Sequence, residues 1–131
     1  MTVLRPDGWA PARGYADGVV ARGRVVALAG QVGWDPATHA FASDDFAAQA
    51  RQALANVARL LAEAGAEPRH LVRLTWFVTD RADYNAARRA LGEAYRETLG
   101  AWYPAMSVVI VAGLLEERAK AEIEATAVIA E

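Results

Sequence analysis

The segment from residue 70 to 78 constrains the fold most strongly, because its alternation predicts a strand with apolar residues on both faces. One face carries Val72, Leu74, Trp76 and Val78, and the other carries Leu71, Arg73, Thr75 and Phe77. A helical layer is the usual cover for one face of such a strand, and the second face needs a cover of its own. We expect that second cover to be another copy of the chain.

Helical patterns lie on both sides of this strand in the sequence. Between residues 44 and 64, apolar side chains recur at steps of three and four residues, which predicts an amphipathic helix. Residues 43–45 supply an N-cap and first-turn acids, and Gly65 suits the position after the helix end. A second apolar stripe with the same spacing begins after Asp80, a capping residue, and stops at Gly100.

Short β-branched segments predict four further strands. Residues 18–20 and 24–30 flank a short turn and are expected to form a hairpin, whereas 106–111 and 119–129 follow the second helix. The order ββαβαββ predicts an α+β fold, in which a mixed sheet carries both helices on one face. We expect a single domain over all the residues, with 1–14 as an N-terminal tail.

Composition limits the classes of function. The 131 residues include 14 Lys and Arg against 16 Asp and Glu, so no basic surplus favours a nucleic-acid partner. The absence of cysteine excludes disulfides, thiolate metal sites and thiol nucleophiles. No stretch predicts a signal peptide or a membrane span, so we expect a cytoplasmic protein without a membrane partner.

Few side chains indicate chemistry by themselves. His39 and His70 have no spacing that predicts a metal site or a catalytic triad. Trp34 lies in a turn-rich segment, where an aromatic residue suits a pocket or an interface about as well as simple packing. Glu122 lies in an apolar strand, where a carboxylate is either solvated on an outer face or held for a purpose. The residues alone leave both interpretations open.

Taken together, several segments resemble the RidA/YjgF family of reactive-intermediate deaminases, which also carries the label endoribonuclease L-PSP. The similarity extends over residues 13–129, and the matching segments are 14–18, 29–32 with 35–36, 49–57, 77–80, 103–105 and 122–125. Each segment is a weak motif, but their common order and spacing are specific. The resemblance implies a chorismate-mutase-like fold and a homotrimeric barrel with a pocket at each of its three interfaces.

The resemblance also implies a chemistry. The best-known members of that family hydrolyse 2-imino and 2-enamino acids to the 2-keto acid and ammonia without a cofactor. Tyr15 and Glu122 stand at the positions of the family's N-terminal tyrosine and of its glutamate that positions the attacking water. Gly30 and Val108 stand where backbone N–H groups line the family's pocket.

Two positions depart from the family pattern. Met106 replaces the arginine that binds the substrate carboxylate, and Ala29 replaces a serine. Because methionine cannot bind a carboxylate, we expect ordinary 2-imino acids not to be the preferred substrate, unless Arg13, Arg73 or another arginine reaches the pocket. Met106, Ala29 and Trp34 predict a more apolar pocket, suited to a neutral or aromatic compound.

Two functions remain open at this stage. The first is a metal-free hydrolase, a deaminase of a small imine, enamine or related electrophile, with Glu122 moving protons to and from water. The alternative is a non-catalytic binding or regulatory protein that keeps the trimer and its pocket. Ribonuclease activity is not expected, because His39 and His70 form no acid–base pair and the charge balance is acidic.

Overall fold

The computed structural model describes all residues from 1 to 131 and contains two sheets, three α-helices and one short 3₁₀ helix. The strands are β1 (Thr2–Leu4), β2 (Gly18–Val20), β3 (Arg24–Val32), β4 (Leu71–Val78), β5 (Ala105–Ile110) and β6 (Ala121–Ile129). The α-helices are α1 (Phe46–Glu63), α2 (Arg81–Ala86) and α3 (Arg88–Leu99), and the 3₁₀ helix is Pro68–His70. None of the helices is both long enough and apolar enough to cross a membrane.

The main sheet has four strands in the order β3-β6-β4-β5 and is mixed. β5 runs parallel to β4, whereas β6 is antiparallel to both β3 and β4. The central strands send Leu74, Trp76 and Ile123 toward the helices, where they join one buried cluster with residues of α1 and α3. The predicted α+β fold with the helices on one face is therefore confirmed.

Gln49 fastens the start of α1 to the start of β6. Its buried side chain donates to the carbonyl oxygens of Ser43 at 3.0 Å and Arg118 at 2.9 Å, and accepts from the N–H of Lys120 at 2.8 Å. Gly33 packs against the same residue so closely that a Cβ would lie 2.4 Å from the Gln49 carbonyl oxygen. These contacts fix the end of β3 beside the first residues of β6.

The face of the main sheet opposite the helices, here called the open face, has no covering layer within the chain. It carries Arg73, Thr75 and Phe77 of β4, Glu122 and Glu124 of β6, Ser107 and Val109 of β5, and Val25 and Ala27 of β3. Val25 is 69% exposed and Val109 is 42% exposed, although both are strand residues with apolar side chains. Burial of exposed apolar side chains is favourable, so this face is a surface on which a second layer would be stabilised.

The predicted hairpin of residues 18–20 and 24–30 is wrong. β2 pairs with β1, which lies inside the segment expected to be a tail, and β3 pairs with β6 along its length. The reason lies at Gly23, which has a φ of 148° and packs so tightly on Ile129 that a Cβ would lie 2.1 Å from its carbonyl oxygen. After Gly23 the chain forms β3 along the edge of β6, and it does not fold back on β2.

The second predicted helix is present but divided. Asp80 caps it as expected, because its Oδ1 accepts from the N–H of Asp83 at 3.0 Å, and Gly100 follows its end with a φ of 75°. Between α2 and α3, Ala87 has a φ of −100° and a ψ of 4°, outside the helical region. Its N–H is shared between the carbonyl oxygens of Asp83 and Tyr84, each at 3.2 Å.

Candidate functional site

Glu122 lies on β6 with its carboxyl group directly against Gly30 of β3. A Cβ on Gly30 would lie 2.7 Å from both Cδ and Oε1 of Glu122. Ala29 and Gly30 fall in an irregularity of the β3–β6 register, between Leu28 and Gln31, and therefore have no Cα partner in β6. A bulge that brings glycine to this position lets the carboxyl group reach the backbone of the neighbouring strand.

The Glu122 side chain is half-buried and has no partner within the chain. None of the ion pairs includes it, and its register neighbours, Val32 on β3 and Phe77 on β4, are both apolar. Its strand neighbour Glu124 is exposed and stands opposite Thr75. A carboxylate next to an aromatic ring and without an internal partner is available to exchange a proton with a bound molecule.

Trp34 follows the end of β3, two residues after Val32, which is the Cα partner of Glu122. Its ring stacks on His39 with centroids 4.0 Å apart and planes 8° from parallel. The loop is held by Asn56 of α1, whose Nδ2 donates to the carbonyl oxygens of Val32 and Trp34 at 3.3 and 3.0 Å. His39 has a φ of 59°, and no sequence pattern predicts its stacking on Trp34.

Tyr15 belongs to a different part of the molecule. The N–H of Ala16 donates to the carbonyl oxygen of Pro104 at 2.9 Å, and Ala16 forms a parallel bridge with Ala105, so Tyr15 lies at the start of β5. Met106 follows there, and it packs against the buried cluster on the helix side of the sheet. These two positions therefore lie on the far side of β4 from Glu122 and Gly30.

Tyr15 and Glu122 do not meet within one chain. Glu122 is opposite Phe77, whereas the Tyr15 segment borders Ala105, which is opposite Arg73. The separation is four residues along the strands, about 13 Å, combined with three strand spacings, about 14 Å. Val108 lies between these two regions, on the edge strand β5 opposite Trp76. The residues expected to form one site thus form two groups in each chain.

A cavity of about 460 Å³ lies beside Tyr15. It is lined by residues of the N-terminal segment, between 3 and 17, and by residues 101–103. Its aromatic lining consists of Trp9, Tyr15, Trp102 and Tyr103, and its charged lining consists of Arg5 and Asp17. This volume is in the range of pockets that bind small organic molecules. The sequence does not predict the cavity, because it depends on the pairing of β1 with β2.

One wall of this cavity is fixed by Tyr95 of α3. The hydroxyl group of Tyr95 donates to the carbonyl oxygen of Trp102 at 2.5 Å, and its ring stacks on Tyr103 with centroids 4.9 Å apart. The indole N–H of Trp102 donates to the carbonyl oxygen of Leu71 at 2.9 Å. Burial, and then the neighbouring Tyr103, raise the pKa of Tyr95 well above its ordinary value.

The chain offers no cluster of three or more His, Asp or Glu side chains that could hold a metal ion. The chemistry available at the two groups consists of the Glu122 carboxylate at one, the Tyr15 phenol, Arg5 and Asp17 at the other, and backbone N–H groups and aromatic surfaces. The irregular register at Ala29 and Gly30, and the edge position of β5, leave some backbone donors without a strand partner.

A family model described as Endoribonuclease L-PSP matches residues 6–129. The chain is 42% identical over 114 residues to the 2-iminobutanoate/2-iminopropanoate deaminase of Salmonella typhimurium, which covers 87% of this chain and 86% of that protein. The human protein of the same name is 31% identical over 105 residues, 80% of this chain and 73% of that one. The chain belongs to the RidA/YjgF family, as the resemblance predicted.

Solved structures agree with this assignment. The Rid-family protein YyfB of Yersinia pestis superposes with a TM-score of 0.86 at 32% identity, over 98% of each chain. Escherichia coli TdcF, solved with bound serine, gives a TM-score of 0.73 at 32% identity, over 99% of this chain and 97% of that one. The chorismate-mutase-like fold expected from the sequence is confirmed.

Proposed function

We propose that this protein is a RidA-like hydrolase that deaminates a small imine or enamine in a pocket formed between subunits. The observation that carries the proposal is the carboxyl group of Glu122, which lies against Gly30 without an internal partner. The names of two relatives, both 2-iminobutanoate/2-iminopropanoate deaminases, indicate the same type of reaction.

In the proposed reaction, Glu122 takes a proton from a water molecule whose oxygen attacks the carbon of the C=N bond. A tetrahedral carbinolamine forms, and Glu122 returns the proton to the nitrogen. Glu122 next accepts the proton of the new hydroxyl group and passes it to the nitrogen, and the C–N bond breaks, so that ammonia leaves and a carbonyl compound remains. Backbone N–H groups at Gly30 and, from a neighbouring copy, at Val108 stabilise the charge that develops during the attack.

A second copy of the chain completes the site in this proposal. Tyr15 lies too far from Glu122 to touch the same small molecule within one chain. The open face of the sheet, with the exposed Val25 and Val109, is an apolar surface suited to contact with another copy. We propose a homotrimer in which head-to-tail contacts bring Tyr15 of one copy beside Glu122 of the next.

The substrate of this enzyme differs from an ordinary small 2-imino acid. Met106 packs on the helix side of the sheet, and its thioether cannot form the paired hydrogen bonds that a guanidinium makes with a carboxylate. Ala29 has no hydroxyl group, and Trp34 adds an aromatic residue two positions after Val32, the β3 partner of Glu122. The loss of polar groups at positions 106 and 29, together with Trp34, favours a substrate with an apolar or aromatic group.

The proposal is tested by ammonia release from freshly generated imines. The wild-type protein is compared with Glu122→Gln and with Glu124→Gln, a matched control two residues along the same face of β6. Loss of a positioned acid–base group typically lowers the rate by about 10² to 10⁴. We expect that loss for Glu122→Gln and near wild-type turnover for Glu124→Gln; equal activity of all three proteins contradicts the proposal.

A second candidate is a binding protein that has lost the chemistry. The replacement of two polar contacts by Met106 and Ala29 favours it. This candidate predicts that the wild-type protein releases no ammonia from any aliphatic or aromatic imine, yet still binds a small ligand. Turnover that depends on Glu122 excludes it.

A further inference from the structure

Arg5 and Asp17 each stand one residue beyond the last paired residues of β1 and β2. The last paired residues of that sheet are Leu4 and Gly18, and the same antiparallel register places Arg5 opposite Asp17. Both residues line the cavity beside Tyr15, yet neither takes part in an ion pair of the chain. The cavity thus contains a guanidinium group that forms no ion pair with a protein carboxylate.

The remaining lining of the cavity is suited to a flat ring. Trp102 and Tyr103 are fixed by the hydrogen bond to Leu71 and by the stack on Tyr95. Trp9 of the N-terminal segment also lines the cavity and is 63% exposed, so its indole ring is available to a bound molecule. Three aromatic rings in the lining of one cavity favour a planar apolar group as its occupant.

We infer that this cavity receives the aromatic side chain of the substrate and that Arg5 binds the substrate's carboxylate, in place of the arginine absent at position 106. The inference rests on the proposed function and names its substrate class, a 2-imino acid with an aromatic side chain. Arg5 is the only arginine that lines the cavity. Arg13 does not line it, and Arg73 lies on the open face opposite Thr126.

Arg5 and Asp17 are expected to have opposite effects on the affinity for an aromatic acid. A bound carboxylate is attracted by Arg5 and repelled by Asp17, which also competes for the guanidinium group. Removal of the positive charge therefore weakens binding of an aromatic acid, whereas removal of the negative charge strengthens it. A purely structural role for this pair predicts no such opposite effects.

The experiment measures binding of phenylpyruvate, the stable keto acid that hydrolysis of such an imine yields, to the full-length protein. The indole N–H signals in a ¹⁵N-resolved spectrum report the position of the ligand. We expect shifts at Trp9 and Trp102 and none at Trp76, which is buried in the core. Pyruvate, which lacks the ring, is expected to cause no saturable shift at the concentrations at which phenylpyruvate binds.

The variants are Arg5→Gln, Asp17→Asn and, as the matched control, Arg22→Gln, which is exposed and lies outside the cavity. We expect Arg5→Gln to raise the Kd about fivefold, the upper range for one exposed charge pair, and Asp17→Asn to lower it. Arg22→Gln is expected to bind like the wild type. All three positions are on the surface, so each variant is expected to fold.

Two outcomes overturn the inference. One is the absence of shifts at Trp9 and Trp102, and the other is equal affinity of the wild type and Arg5→Gln. Either result leaves the proposed function intact if Glu122-dependent ammonia release is observed. Conversely, Arg5-dependent binding without turnover of any imine supports the cavity and its ligand class while contradicting the proposed hydrolase.

Discussion

The carboxyl group of Glu122 and the backbone of Gly30 are in such close contact that a methyl group on Gly30 would lie 2.7 Å from Oε1. Real Cβ atoms do not approach other heavy atoms to this distance, so any side chain at position 30 displaces the carboxylate. The conformational freedom of glycine is secondary here. What matters is that the neighbouring strand leaves room for a functional group.

Gly30→Ala is therefore expected to lower turnover by at least about tenfold, because the Glu122 carboxylate is moved from its position beside the backbone. Gly113→Ala is the matched control, since a Cβ there meets no atom within 4 Å. The measurement is ammonia release at saturating imine, together with a thermal melt to confirm folding. Full activity of Gly30→Ala would show that the contact does not matter.

In the proposed trimer, the copies contact one another through the open face. Val109→Asp introduces a charge that is costly to desolvate in an interface, so we expect the variant to be largely monomeric. Leu115→Asp is the control, because Leu115 is 97% exposed in a loop. Sedimentation velocity distinguishes a trimer from a monomer. A trimer that persists in Val109→Asp argues against the open face as the contact surface.

Tyr95 makes stability fall at high pH. Burial raises the pKa of Tyr95 above its ordinary value of about 10, so the unfolded chain loses this proton before the folded chain does. The stability that the protonated Tyr95 contributes to the folded state is complete below about pH 10 and is lost as the pH rises further. We expect a shallower alkaline decline for Tyr95→Phe in urea unfolding measured from pH 8 to 11.

The same variant is expected to be less stable at neutral pH by about 1 kcal/mol, because the hydrogen bond to the Trp102 carbonyl oxygen is lost. Tyr84→Phe is the control, since the Tyr84 hydroxyl group donates no hydrogen bond within the chain and its replacement leaves Tyr95 intact. Identical alkaline slopes for Tyr95→Phe and the wild type would exclude Tyr95 as the cause.

The sequence predicts those parts of the fold that depend on local signals. The bounds of α1 follow from its apolar period and from Asp45, whose side chain accepts from the N–H of Ala48 at 2.9 Å. The cap at Asp80 and the end at Gly100 follow from the same rules. Such signals lie within a few residues of the element that they define, so a single sequence suffices.

Pairing between distant segments is not predicted in this way. The strand β1 has three residues and no periodicity, and its partner β2 is also three residues long, so nothing local favours this pairing over a β2–β3 hairpin. The cavity beside Tyr15 follows from that pairing and was missed for the same reason. The apolar strand around Glu122 draws attention to its carboxylate, and the family resemblance gives Glu122 and Gly30 their roles, whereas their contact is visible only in the structure.

The separation of Tyr15 from Glu122 makes mixed oligomers the most direct test of a site formed between subunits. Glu122→Gln and Tyr15→Phe are each expected to have low activity by themselves. When the two are refolded together in equal amounts, about a quarter of the interfaces of a cyclic oligomer combine an intact Glu122 with an intact Tyr15. We predict that the mixture recovers about a quarter of the wild-type rate of ammonia release. Activity that stays at the average of the two separate variants would contradict an active site shared between copies.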